Sequence, residues 1–87
     1  MFYVYVLQST IRDQAYVGFT TDPKNRLKEH NQGLNPSTKP YRPWSLIYYE
    51  ACLNENDAKH REVYLKTTQG RRLLNRRLRD YRYQVKV

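Results

Sequence analysis

Phe2 to Gln8 reads Phe-Tyr-Val-Tyr-Val-Leu-Gln, with apolar or aromatic side chains on both faces. A β-branched and aromatic run of this kind predicts an inner strand of a small sheet. Ser9 to Gln14 is polar and turn-like, and Ala15 to Phe19 predicts a second strand, so the pair reads as a hairpin. Gly18 lies inside that strand, where a missing side chain marks a bulge or a close approach of another group. The pattern then turns helical. Asp22 is a suitable N-cap, Pro23 suits the first helical position and Gly33 suits the end. Leu27 and Leu34 are the apolar residues of this stretch, so its packing should be light.

Pro36, Pro40 and Pro43 make 35–43 a loop, and Trp44 to Cys52 predicts a third strand. Asn54, with Asp57 three residues on, opens another helix in a capping-box-like relation. That helix is expected to run through Ala58, Glu62 and Leu65 to a stop at Gly70. A last helix, about 71–83, places Leu74, Leu78 and Tyr81 at i, i+4 and i+7. The order β-β-α-β-α-α predicts an α/β (α+β) domain: a small three-stranded, mostly antiparallel sheet flanked by helices. No internal repeat or low-complexity tract interrupts it.

Length changes the picture first. At 87 residues the chain is expected to be one domain, 1–87, and a domain of this size buries only about 60% of its unfolded surface. Nine Tyr, two Phe and one Trp must supply much of the core, and a buried Tyr hydroxyl needs a partner. Sixteen Lys and Arg against eight Asp and Glu leave a formal charge of +8, which points to polyanions. One cysteine, Cys52, excludes a disulfide scaffold, and with two histidines a zinc site of the usual kind is not expected. No apolar stretch approaches the roughly 20 residues of a membrane span, and no leader precedes Phe2, so a cytoplasmic location is expected.

Glu62 shares a helical stripe with Ala58 and Leu65, the face expected to pack inward. A carboxylate there is costly unless paired or metal-bound. Arg61 or another arginine could pair with it; alternatively it anchors one hard cation, since Mg²⁺ favours one or two carboxylates plus phosphate and water. Arg26 and His30 lie four apart on one helical face, either solvated or holding a phosphate oxygen beside an imidazole that moves protons. Arg71, Arg72, Arg76, Arg77, Arg79, Arg82 and Lys86 follow Thr67 with only Asp80 opposing them. A solvated face would mix signs, so this stretch reads as a phosphate-contacting surface. Tyr41 and Trp44, beside Arg42, either contact nucleic acid or pack in the core. Neither a Gly-rich phosphate loop nor a GxSxG elbow is present.

Tyr3-Val4-Tyr5 followed by Tyr16-Val17-Gly18 resembles the paired signature of the GIY-YIG endonuclease superfamily, with Arg26-x-x-x-His30 and Glu62 in the expected order. The resemblance covers nearly the whole chain and is nearest to small stand-alone bacterial members related to the N-terminal nuclease domain of the excision-repair incision subunit. It departs from the family pattern where Tyr3 stands in place of the first motif's Gly, and in the placing of an Asn after the glutamate, for which Asn75 is the candidate. The resemblance implies that Tyr5 and Tyr16 project into a site where a tyrosine positions or deprotonates the attacking water. It further implies that Gly18 keeps the strand slim, Arg26 stabilises the charged transition state and Glu62 holds a single divalent cation, Mg²⁺ or Mn²⁺. His30 would assist proton transfer, and Asn75 would answer to an Asn that follows the glutamate in the family.

The resemblance thus leads to a metal-dependent DNA endonuclease, structure-selective or weakly specific, acting in DNA repair or processing. The DNA could be single-stranded, branched or damaged, and no obligate protein partner is identifiable. Two rivals stand beside it. A binding module could use the same basic surface with catalysis weak or absent, although a clamp has no use for an inward carboxylate. A basic RNA- or ribosome-associated protein would explain the charge but not the ordered residues. If the terminal arginines touch phosphate, neutralising Arg76 and Arg77 together is expected to reduce the slope of log K against log salt for DNA binding by about one to two counterions. An unchanged slope would assign both side chains to solvent.

Overall fold

A computed structural model describes residues 1–81. Strand β1 (Phe2–Ser9) lies in the middle of an antiparallel sheet, with β2 (Ala15–Thr20) on one side and β3 (Trp44–Cys52) on the other. The two-faced apolar run thus occupies the strand whose faces are both covered. Val4 and Val6 face one way, packing with Ala58 and Leu65 of α2 (Glu55–Leu65) and Leu74 of α3 (Thr68–Arg77). Tyr5 and Leu7 face the other, packing with Trp44, Leu27 and Tyr41. That second layer consists of α1 (Pro23–Asn31) and the loop after it, which carries one 3-10 turn, Lys39–Tyr41. This is the expected α+β architecture in the expected order.

Local chemistry explains most of the boundaries. The Asp22 side chain accepts from Asn25 N, with Pro23 at the first helical position. At the other end of α1, Gly33 takes φ +79°, its N–H reaches His30 O at 3.1 Å, and Leu34 N reaches Glu29 O at 3.2 Å. Those paired bonds are a Schellman closure, which the positive φ of glycine permits. His30 is the buried residue of α1, so this helix is held by a polar side chain more than by an apolar stripe. Asn31 supports the next element: its Nδ2 donates to Trp44 O at 3.1 Å, and its Oδ1 accepts from Trp44 N at 2.6 Å. Between Val6 and Leu7 the register with β3 shifts by a bulge, carrying Val6 against Tyr48 and Leu7 against Leu46.

Two helix boundaries differ from expectation. α2 stops at Leu65, and Thr67 caps a new helix by accepting from Gly70 N at 3.1 Å. Gly70 therefore ends nothing and lies buried inside α3. A Cβ there would fall far inside van der Waals contact of the Tyr64 carbonyl oxygen and the Leu65 Cα, so the glycine lets the backbones of α2 and α3 meet. α3 closes at Leu78, whose φ of −106° and ψ of 25° leave the helical range, although 79–81 resume helical geometry. The remainder of the expected last helix, with Arg82, Tyr83 and Lys86, lies outside the described residues.

The terminal helix is tied down by its one apolar side, with Leu74 buried and Arg71, Arg72, Arg76 and Arg77 exposed. Gly70→Ala is expected to cost about 1–3 kcal/mol of stability through overpacking, despite the better helix propensity of Ala. Urea denaturation measures it. A change below about 0.5 kcal/mol would show that the two helices separate freely.

Candidate active site

The site is organised around a cross-strand pair. Tyr5 of β1 sits opposite Gly18 of β2, and a Cβ on Gly18 would overlap the Tyr5 ring and hydroxyl. The phenol lies across the neighbouring strand because that position carries no side chain. Tyr16, two residues away and on the same face, packs at 6.2 Å between ring centroids from Tyr5 and 4.9 Å from His30. Tyr5 is 1% exposed, whereas Tyr16 keeps part of its surface open to solvent. The two phenols thus differ in access.

His30 closes over them from α1. Its Nε2 lies 3.0 Å from Tyr5 Oη, and its Nδ1 lies 2.8 Å from Thr38 Oγ1. Thr38, buried in the proline-rich loop, is a member of this cluster that sequence patterning does not signal. Nothing in its spacing marks it, since it joins the site through a loop closure and not through a helix or strand period. Trp44, expected either in the core or against nucleic acid, is 4% exposed, with its indole Nε1 donating to Thr38 O at 2.9 Å. It supports the loop from within the core.

Arg26 lies one turn before His30, largely exposed, with its Nε 3.3 Å from Glu29 Oε1. The Tyr5 hydroxyl feels Tyr16, Arg26, Glu62 and Glu29 electrostatically. Burial is the strongest influence and holds this phenol well above its ordinary value; Tyr16 and the two carboxylates add to the rise, and Arg26 opposes it. The structure thus joins Tyr5, Tyr16 and His30 by direct contact, while Arg26 and Glu62 reach the Tyr5 hydroxyl only as charges. Glu29 joins them as an acid that the motif order had not singled out.

Glu62 is only partly inward. Its side chain retains 22% exposure, and its Oε2 accepts from Lys66 Nζ at 3.0 Å. Among the described residues no arginine pairs with it: Arg61 clasps Glu50, with Nε 2.8 Å from Oε1 and Nη2 3.0 Å from Oε2. Arg61 turns to β3 because Glu50 is already fixed there by the Tyr48 hydroxyl, which donates to Oε2 at 2.7 Å. Burial pushes Glu50 up, but the hydrogen bonds from Arg61 and Tyr48 outweigh it and hold the carboxyl below its ordinary range.

Among the described residues no three His, Cys, Asp or Glu side chains gather into a ready-made metal cage. Glu62 offers a single carboxylate whose Oε1 accepts no hydrogen bond from the described residues. That donor set suits a hard cation that keeps most of its waters and draws further oxygens from phosphate. At the β2 edge, a groove of about 460 Å³ runs onto the apolar face of the sheet, lined by Val6, Val17, Leu65 and Leu74 with Tyr16 and Asn75 among its other residues. Asn75 and Arg71 line this groove, and Arg72, Arg76, Arg77 and Arg79 lie exposed.

A family model described as the GIY-YIG catalytic domain matches residues 1–77. The chain belongs to the GIY-YIG family. This is a nuclease family whose members generally use a divalent metal. A UPF0213 protein of Clostridium perfringens (strain 13 / Type A) is 37% identical over 68 residues, covering 76% of this chain and 71% of its own length. One from Streptococcus pyogenes serotype M3 is 39% identical over 70 residues, covering 79% and 75%. One from Pediococcus pentosaceus is 39% identical over 66 residues, covering 75% and 68%. These relatives are small GIY-YIG proteins, as the resemblance anticipated. No helix among the described residues of this GIY-YIG chain is long and apolar enough to cross a membrane.

Burial, reinforced by Arg26 and opposed by Glu29, holds the His30 imidazole below its ordinary value of 6.5. The unfolded chain therefore binds a proton that the folded chain refuses. Stability is complete above about pH 6.5 and falls as pH drops through that value toward the folded pKa. Urea midpoints should decrease between about pH 7.5 and 5.5 in the wild type and change less in His30→Gln. Equal changes in the two proteins would place the titration elsewhere.

Proposed function

We propose that this GIY-YIG domain is a divalent-metal-dependent endonuclease that hydrolyses DNA phosphodiester bonds, with Mg²⁺ or Mn²⁺ held by Glu62. The observation that carries the reading is the packed trio of Tyr5, Tyr16 and His30, with the Tyr5 hydroxyl against His30 Nε2 and the Arg26 guanidinium one helical turn away. Phosphodiester hydrolysis needs a positioned water and charge neutralisation on phosphorus oxygens. A cation bound at Glu62 would supply Lewis acidity toward a phosphate oxygen and lower the pKa of its water. Arg26, exposed and forked, can hold a second phosphate oxygen. Tyr16, the solvent-facing phenol, is placed to orient water, and the buried pair of Tyr5 and His30 to take its proton.

The substrate is DNA read through its backbone. Arg71, Arg72, Arg76, Arg77 and Arg79 present charge without a base-reading element, which supports weak sequence specificity and selection by strand structure. Asn75, in the groove at the β2 edge, would position the strand. A role in DNA repair or processing in the cytoplasm follows from this reading and from the resemblance to the excision-repair nuclease domain.

Glu62→Gln removes the charge while keeping shape. It is expected to lower cleavage of flap, single-stranded or duplex DNA in Mg²⁺ or Mn²⁺ by at least about a hundredfold, with salt-sensitive DNA binding retained. Cleavage undiminished in the variant would remove the metal assignment. Salt-sensitive binding without cleavage in either protein would favour a nucleic-acid clamp.

A further inference from the structure

We infer that Thr38 is a positioning residue that holds the His30 ring with its proton on Nδ1, making Nε2 the acceptor for the Tyr5 hydroxyl. The inference deepens the nuclease reading and rests on it for the kinetic part of the test alone. Three hydrogens must be placed: one on Tyr5, one on neutral His30 and one on Thr38. Thr38 Oγ1 lies 2.8 Å from His30 Nδ1 and 3.3 Å from the Asn35 carbonyl oxygen, a pure acceptor that also receives the N–H groups of Thr38 and Lys39. If Thr38 donates to Asn35, Nδ1–H donates to Thr38, and the Tyr5 hydroxyl donates to Nε2 at 3.0 Å, every hydrogen has an acceptor. In the reverse chain Thr38 donates to Nδ1 and Nε2–H to Tyr5 Oη. The Tyr5 hydrogen is then left without an acceptor among the described residues.

Burial makes that difference count. Tyr5 and His30 are each 1% exposed and Thr38 is 2% exposed, and an unpaired buried donor carries its full desolvation penalty. Thr38 is itself immobilised, since the Trp44 indole donates to its carbonyl oxygen at 2.9 Å. The chain runs from the Trp44 core through Thr38 and His30 to Tyr5. Charged and titratable groups around the ring are Arg26 and Glu29 on its own helix and Tyr5 and Tyr16 on the sheet.

Both ring nitrogens are therefore engaged inside the protein, so His30 receives a proton only by way of Tyr5. The imidazolium stays bound to Thr38 through Nδ1–H.

Thr38→Val keeps the shape and removes the hydroxyl; Thr38→Ser restores it. Long-range ¹⁵N–¹H NMR of the His30 ring is expected to show Nδ1–H in the wild type and in Thr38→Ser, and a shift toward Nε2–H in Thr38→Val. Cleavage should fall about 10- to 100-fold in Thr38→Val and stay within about threefold of wild type in Thr38→Ser, with DNA affinity unchanged in both. Nε2–H in the wild type, or wild-type cleavage by Thr38→Val, would overturn the assignment. Should Thr38→Val not fold, the spectra of the wild type and Thr38→Ser decide: Nε2–H in either would overturn the assignment. If the wild type cuts no DNA, the nuclease reading fails while the ring spectra still settle the role of Thr38.

Discussion

The absence of a side chain at Gly18 is the constraint on which the site depends. It lets the Tyr5 ring lie over the adjacent strand, and that placement carries the hydroxyl to His30 and into the field of Arg26 and Glu62. A larger residue would have to displace the ring at the centre of the sheet, where Leu7 and Trp44 leave it no room. Backbone register and site geometry are therefore one feature. The hairpin that pairs Tyr5 with Gly18 also sets Tyr16 beside both rings, because alternate residues of β2 share a face.

The two faces of the sheet divide the work. One is an apolar layer in which Val4, Val6, Ala58, Leu65 and Leu74 meet without polar atoms. The other buries a histidine, a threonine and a tyrosine, each satisfied by the next. A small domain has little apolar area to spare, so a polar layer of this kind is tolerable only when its hydrogen bonds are complete. The clasp of Arg61 on Glu50 plays a related part on the apolar side, fixing α2 to β3. It also leaves Glu62 beside Lys66, a weaker and more exposed partner than Arg61 would be.

Much of this was legible in the chain. Strand alternation, the Asp22 cap and Gly33 are local signals, and they gave β1, β2, α1 and β3 to within a residue or so. Tyr5, Tyr16, Arg26, His30 and Glu62 were visible because they sit in recognisable order. Gly70 was misread because a glycine that ends a helix and a glycine that lets two helices touch look identical in one dimension. Thr38 was invisible for a different reason. Its role arises from a loop folding back on α1, and no period or cap in the sequence encodes that contact.

The side chain of Asn31 has one more implication. β3 is an outer strand, and the amide of Asn31 occupies both the N–H and the C=O at its first residue, Trp44. Those are the groups a strand from a second molecule would need for docking, so a single carboxamide blocks lateral growth at that end. At that end of β3 the carboxamide stands where a neighbouring strand would otherwise pair.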